Sequence, residues 1–153
     1  MEPLGVAIHS VANIGALKPS ENVVIFGAGP VGLLCMAVAK ALGAARVIAV
    51  DIVPSRLEFA KGYAASDTYV PPKFQEGESR SAYSQRNAKL MMEQLGLAER
   101  GPAGVDLVVE ASGAEVSIQT GILIAKYGGS FTQVRLGFSP HRASLSRLGW
   151  VRC

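Results

Sequence analysis

A chain of 153 residues has the size of one domain and can bury a core without disulfides or a structural metal, which excludes a small stapled scaffold. Its 49% hydrophobic and 18% charged residues exclude a disordered chain, and no apolar run is long enough to span a bilayer. The net charge of +3 is unevenly placed: twelve acids face ten bases up to Glu115, whereas residues 116–153 carry five bases and no acid.

Taken in chain order, Leu4, Ile8, Val11 and Ala12 mark a leading helix. The run VVIF at 23–26 predicts the first strand, and Pro30–Leu42 a helix that opens with proline in its first turn and stops at Gly43. RVIAV at 46–50 predicts the second strand, and Pro54 and Ser55 open a helix running through Leu57, Ala60 and Lys61. DTYV at 67–70 is the third predicted strand, followed by a polar, Pro-led surface loop at 71–81 and a helix over Ala82–Leu95 that ends at Gly96. DLVVE at 106–110 predicts the fourth strand, Val116–Ala125 a helix stopped by Gly128 and Gly129, and SFTQV at 130–134 the fifth strand. Most of these strands are β-branched and near-continuously apolar, as strands covered on both faces must be. Strands alternating with helices predict an α/β domain over residues 1–137, a doubly wound parallel sheet of the Rossmann type. Residues 138–153 show neither period and read as an unstructured basic tail. Its arginines, with Arg135, are too sparse and too free of aromatics for a nucleic-acid or membrane arm.

Of the two cysteines, Cys35 lies in an apolar helical stretch and Cys153 ends the chain, and neither stands at metal-ligand spacing. The opening MEPLGVAIHS has no secretory or transit pattern. A reducing, cytoplasmic setting is the expectation.

The segment GAGPVG joins the first strand to its helix, so Gly27, Gly29 and Gly32 meet the G-x-G-x-x-G spacing in its strand, turn, helix context. Gly27 serves the tight turn, Gly29 close approach of a pyrophosphate, and Gly32 close packing of helix on strand. Ala28, Pro30 and Val31 shape the turn, and the helix N-terminus offers N–H groups and a positive dipole end to phosphates. A glycine turn alone is also an ordinary βα connection. Asp51, at the end of the second strand and 19 positions past Gly32, is the discriminating residue, because an acid there accepts the adenosine ribose hydroxyls and repels a 2′-phosphate. That predicts NAD over NADP, with Ile52 beside it. Arg56 either stands near the ribose, where it takes a 2′-phosphate or stacks on adenine, or is a surface arginine. Ser112 and Gly113, after the fourth strand, either approach the adenosine side or, in the case of Ser112, cap the next helix.

The runs EPLGVAIHSV, VVIFGAGPVGLLCMAVAKALGA, DIVPSRLEFAK and DLVVEASGAEVSIQTGILIAKYGGSFTQV resemble the cofactor half of a zinc-type polyol dehydrogenase of the medium-chain alcohol dehydrogenase superfamily, the branch of xylitol and sorbitol dehydrogenases. The likeness covers residues 2–134. It implies reversible oxidation of a secondary alcohol to a ketose, with hydride passing to NAD and a zinc ion polarising the alcohol. Gly27, Gly29 and Gly32 then resemble the pyrophosphate turn, Asp51 the ribose acceptor, Arg56 the adenosine-side arginine, and Glu2 the acid beside the catalytic zinc.

In such enzymes the zinc ligands, a Cys, a His and a Glu, come from a domain preceding this segment. Zinc is therefore expected only in a full-length parent, and His9 is expected to be a core or surface histidine. The family's Val-Gly-x-Gly turn after the fifth strand is replaced by Val134, Arg135, Leu136 and Gly137, which suggests a truncation or an altered reading frame. In the strand order 3-2-1-4-5-6, loss of the sixth strand leaves SFTQV as an edge that invites self-association. The expectation is a dinucleotide-binding chain inactive by itself, either half of an NAD-dependent oxidoreductase or a noncatalytic binding module. An S-adenosylmethionine binder fits less well with Gly32 and Asp51 together.

Overall fold

The computed structural model describes residues 2–134. Strands β1 (Asn22–Phe26), β2 (Arg46–Val50), β3 (Asp67–Tyr69), β4 (Val105–Glu110) and β5 (Ala125–Gln133) form one sheet in the order β3-β2-β1-β4-β5, every pairing parallel. Helices α1 (Glu2–Ile8), α2 (Pro30–Ala41), α3 (Pro54–Tyr63), α4 (Arg80–Leu95) and α5 (Glu115–Ile124) connect and cover the strands.

The central strand shows why the sequence selects this arrangement. Val23, Val24, Ile25 and Phe26 of β1 are all fully buried, and the strand period sends alternate side chains to opposite faces. Val23 and Ile25 join Ala7 of α1, Cys35 and Met36 of α2 and Leu57 of α3. Val24 and Phe26 join Ala88 and Met91 of α4 and Ile124 of α5. Burial of each large apolar side chain stabilises by about 1.5–3 kcal/mol, so β1 anchors two cores at once. With β2 on one side and β4 on the other, β1 stands where the strand order reverses, the place at which open α/β sheets form a cleft at their carboxyl ends.

The structure departs from the predicted elements in four places. α1 runs into a π-helical turn, His9–Ile14, whose wider repeat turns Ala7, Ser10 and Val11 inward and leaves Leu4 and Ile8 exposed. β3 stops at Tyr69, leaving Val70 exposed. The loop 71–81 is pinned to α4: Phe74 stacks on Tyr83 at 3.9 Å, and the Tyr83 hydroxyl donates to the Pro72 carbonyl. α4 then begins at Arg80 rather than Ala82, capped by Ser79, whose Oγ accepts the Ala82 N–H.

The fourth departure is at β5, which leaves α5 directly at Ala125, so Gly128 and Gly129 lie inside the strand and do not close the helix. Val105 pairs with Ala125 but Leu107 with Ser130, so residues 126–129 bulge out of the ladder. Gly128 supplies the left-handed conformation of that bulge, with φ +79°. The predicted basic tail at 138–153 and the Arg135–Gly137 turn lie outside the described residues.

Candidate functional site

The β1–α2 turn carries Gly27, Gly29 and Gly32 to the carboxyl edge of the sheet. Gly27 has φ +94° and donates its N–H to the Val50 carbonyl at 2.7 Å. A Cβ on Gly32 would stand 1.8 Å from the Gly27 carbonyl oxygen, so α2 packs on the turn backbone to backbone. Gly29 differs from both: a Cβ there would meet nothing within 4 Å. Its glycine is therefore not demanded by the protein's own packing, and the space above it is free for a ligand. Pro30 opens α2 at its first position, with no side chain capping the helix start. The first N–H groups of that helix point out of the turn with the positive end of the helix dipole.

Asp51 follows β2 directly and is 8% exposed. Its Oδ2 accepts the Ala28 N–H at 2.8 Å and its Oδ1 the Val53 N–H at 2.9 Å. The carboxylate thus holds the glycine turn from the β2 side. The Arg56 guanidinium lies 3.8 Å from Asp51 Oδ2 with its side chain 58% exposed, and Ile52 beside it is 77% exposed. Apart from the Asp51 contact the Arg56 side chain is solvated, a weak surface pair.

On the other side of β1, Ala111 donates its N–H to the Phe26 carbonyl at 2.8 Å, and Ser112 and Gly113 stand exposed beside the glycine turn. The helix-cap alternative for Ser112 is corrected: the cap position of α5 is Ala114, with no side-chain cap. Ser112 Oγ instead donates to Glu110 Oε1 at 2.5 Å and accepts the Ala114 N–H at 3.2 Å, a local turn motif that competes with capping. Glu110 itself, which no motif in the sequence marks, is a fully buried acid whose Oε1 also accepts the Ser112 and Gly113 N–H groups. The available signal was an acid closing the apolar run Leu107–Val109.

Among the described residues no three His, Cys, Asp or Glu side chains converge as a metal-ligand set. Glu2 is exposed on α1, and His9, on the π-helical turn, pairs through Nδ1 with the Asn13 amide. Zinc therefore has no fit among these residues. Cys35 is buried, and desolvation pushes its thiol up to about 11. A shallow groove lined by Ser84, Gln119 and Ile122 lies in the α4–α5 helical layer rather than at the strand ends.

Sheet order, glycine turn and acid at the end of β2 define a Rossmann-type doubly wound domain. The chain belongs to the family described as zinc-binding dehydrogenase, which matches residues 30–149. It is 50% identical to a probable D-xylulose reductase A of Aspergillus clavatus over 137 residues, 90% of this chain and 35% of that protein. L-idonate 5-dehydrogenase from Escherichia coli superposes with a TM-score of 0.67 at 28% identity, over 92% of this chain and 35% of that one. A putative zinc-binding dehydrogenase from Sinorhizobium meliloti, solved bound to NADP, shares the fold with a TM-score of 0.68 at 22% identity, over 95% of this chain and 38% of its own. The chain spans about a third of the length of the curated relatives it matches.

Proposed function

We propose that this chain is the NAD(H)-binding portion of a polyol dehydrogenase-like oxidoreductase, acting on a secondary alcohol of a xylitol- or sorbitol-type polyol. The observation that carries this reading is the pairing of an open glycine turn with a nearly buried carboxylate: Gly29 leaves free space, and Asp51 stands fixed beside it by two backbone N–H groups. The pyrophosphate would lie over Gly27–Gly29 against the α2 N-terminus, the adenosine ribose against Asp51, and the adenine between Ile52, Arg56 and the Ser112–Gly113 turn. NAD supplies the hydride acceptor; the residues named here bind and orient it. A second reading, binding without turnover by the 153-residue chain itself, is favoured by the lack of a zinc-ligand set among the described residues.

Asp51 favours NAD, because a 2′-phosphate would bring two negative charges together at low exposure. Arg56 is the opposing influence, and its 58% exposure and long contact make it the weaker of the two. Cysteine usage supports a reducing, cytoplasmic setting, and the outer edge of β5, unpaired among the described residues, supports self-association between copies. Calorimetric titration of the full chain with NAD and with NADP tests the cofactor reading. Tighter binding of NAD by about tenfold or more is expected, and equal affinities or no NAD binding would overturn it.

A further inference from the structure

Glu110 is a buried acid with no part in the function proposed above. Its side chain is fully buried at the end of β4. Oε1 accepts three donors, the Ser112 N–H at 2.8 Å, the Ser112 hydroxyl at 2.5 Å and the Gly113 N–H at 2.9 Å. Oε2 is buried with no hydrogen-bond partner among the described residues. An unsatisfied buried polar atom costs about 1–3 kcal/mol, and more when it is charged. The position therefore carries a cost at Oε2 that the bonds of Oε1 must offset.

What Oε1 holds is the Ala111–Gly113 turn, and that turn is the wall against which the glycine turn is built. Ala111 donates its N–H to the Phe26 carbonyl, and a Cβ on Gly27 would stand 3.0 Å from both Ala111 C and Ser112 N. From the opposite side Asp51 holds the Ala28 N–H. The β1 turn is thus gripped between two buried carboxylates, one from each neighbouring strand.

We propose that Glu110 is a positioning residue for dinucleotide binding: by fixing the Ser112 and Gly113 N–H groups it sets the β4–α5 turn against Gly27, and so the shape of the pyrophosphate cradle, without touching the ligand. This rests on the reading of the cleft as a dinucleotide site. Charge-assisted hydrogen bonds are roughly twice as strong as neutral ones, so an amide at 110 keeps the acceptor but weakens the hold.

The test is Glu110→Gln in the full chain, with amide hydrogen exchange in the free protein and calorimetric titration with NAD. The proposal expects faster exchange at Ser112 and Gly113, unchanged exchange at Val47 and Ile48 in β2, and NAD affinity lower by about fivefold or more. Equal acceleration at all four amides marks a general structural role and overturns it, as does unchanged NAD affinity. If Glu110→Gln does not fold, Ser112→Ala, an exposed position that deletes one donor, carries the test. Faster exchange at the Gly113 amide together with a drop in NAD affinity of about twofold supports the proposal, and unchanged exchange there or unchanged affinity overturns it. Absence of NAD binding by the unsubstituted chain would bring down the dinucleotide reading and this proposal with it, whereas normal binding there and in Glu110→Gln brings down only the role of Glu110.

Discussion

Gly29→Ala and Gly32→Ala are the same chemical change three residues apart, and the structure assigns them opposite consequences. At Gly32 the new methyl would meet the Gly27 carbonyl oxygen at 1.8 Å and its carbon at 2.9 Å. Real Cβ atoms stay beyond 3.0 Å of other heavy atoms, so α2 must withdraw from β1 by more than 1 Å, and both clashing groups are backbone that no rotamer change relieves. Overpacking of this kind costs about 1–3 kcal/mol, and the backbone clash places Gly32→Ala at the upper end. For a chain of this size that is a fall in melting temperature of roughly 6–12 °C. At Gly29 the methyl meets nothing within 4 Å and the backbone has φ −78°, which alanine adopts freely. Stability should stay within about 0.5 kcal/mol or rise slightly, because alanine restricts the unfolded chain. The methyl would, however, fill the space assigned to the pyrophosphate, so NAD affinity should fall by tenfold or more. Thermal melts and calorimetric titrations of the two variants form the assay. Undiminished NAD binding by Gly29→Ala would refute the placement of the ligand, and an unchanged melting temperature for Gly32→Ala would refute the packing account.

Asp51→Ala strands the Ala28 and Val53 N–H groups, each losing a hydrogen bond to a charged acceptor worth about 1.5–3 kcal/mol; denaturant midpoints should show a loss of roughly 3 kcal/mol, and paired titrations the loss of NAD preference over NADP. Asp51→Asn keeps one acceptor and should lose less stability while still losing the preference; if both variants retain it, the discrimination belongs elsewhere than Asp51. The bidentate hold of Arg86 on Glu78 lowers that carboxyl from 4.5 to about 2, and Arg46 likewise lowers Asp67. Folded-state values below the unfolded ones mean stability that is present above the ordinary carboxyl range and lost as pH falls through it, so urea midpoints should drop between about pH 4.5 and 2. Arg86→Met should flatten part of that decline, and an identical pH profile would contradict the pair's role. With Cys153 replaced by serine, the Cys35 thiol, buried and pushed up to about 11, should react with a thiol reagent only on unfolding; rapid reaction in the native chain would contradict its burial.

The legible parts of the site share one property, which is that their signal is a spacing. Gly27, Gly29, Gly32 and Asp51 stand at fixed separations because a turn, a helix and a crossover of set length lie between them, and the structure places all four at one sheet edge. Glu110 obeys no spacing rule. Its partners lie two and three residues on, and its burial is a product of the tertiary fold that no local pattern announces. The misplaced elements failed for a related reason. Two glycines after an apolar helical run signal a helix stop, yet the ladder between β4 and β5 turns Gly128 and Gly129 into a bulge. A period of 3.6 predicts Leu4, Ile8 and Val11 on the buried face of the leading helix, and the π-helical turn keeps Val11 there but buries Ala7 and Ser10 in place of Leu4 and Ile8.

Amide hydrogen exchange of the full chain with and without saturating NAD decides whether the cleft at the carboxyl ends of β1, β2 and β4 takes the dinucleotide. The account predicts protection concentrated in three stretches that meet only in the folded cleft: residues 27–33, 51–56 and 111–113. Protection confined to the α4–α5 groove around Ser84 and Gln119, or no change in any of the three stretches, would contradict it.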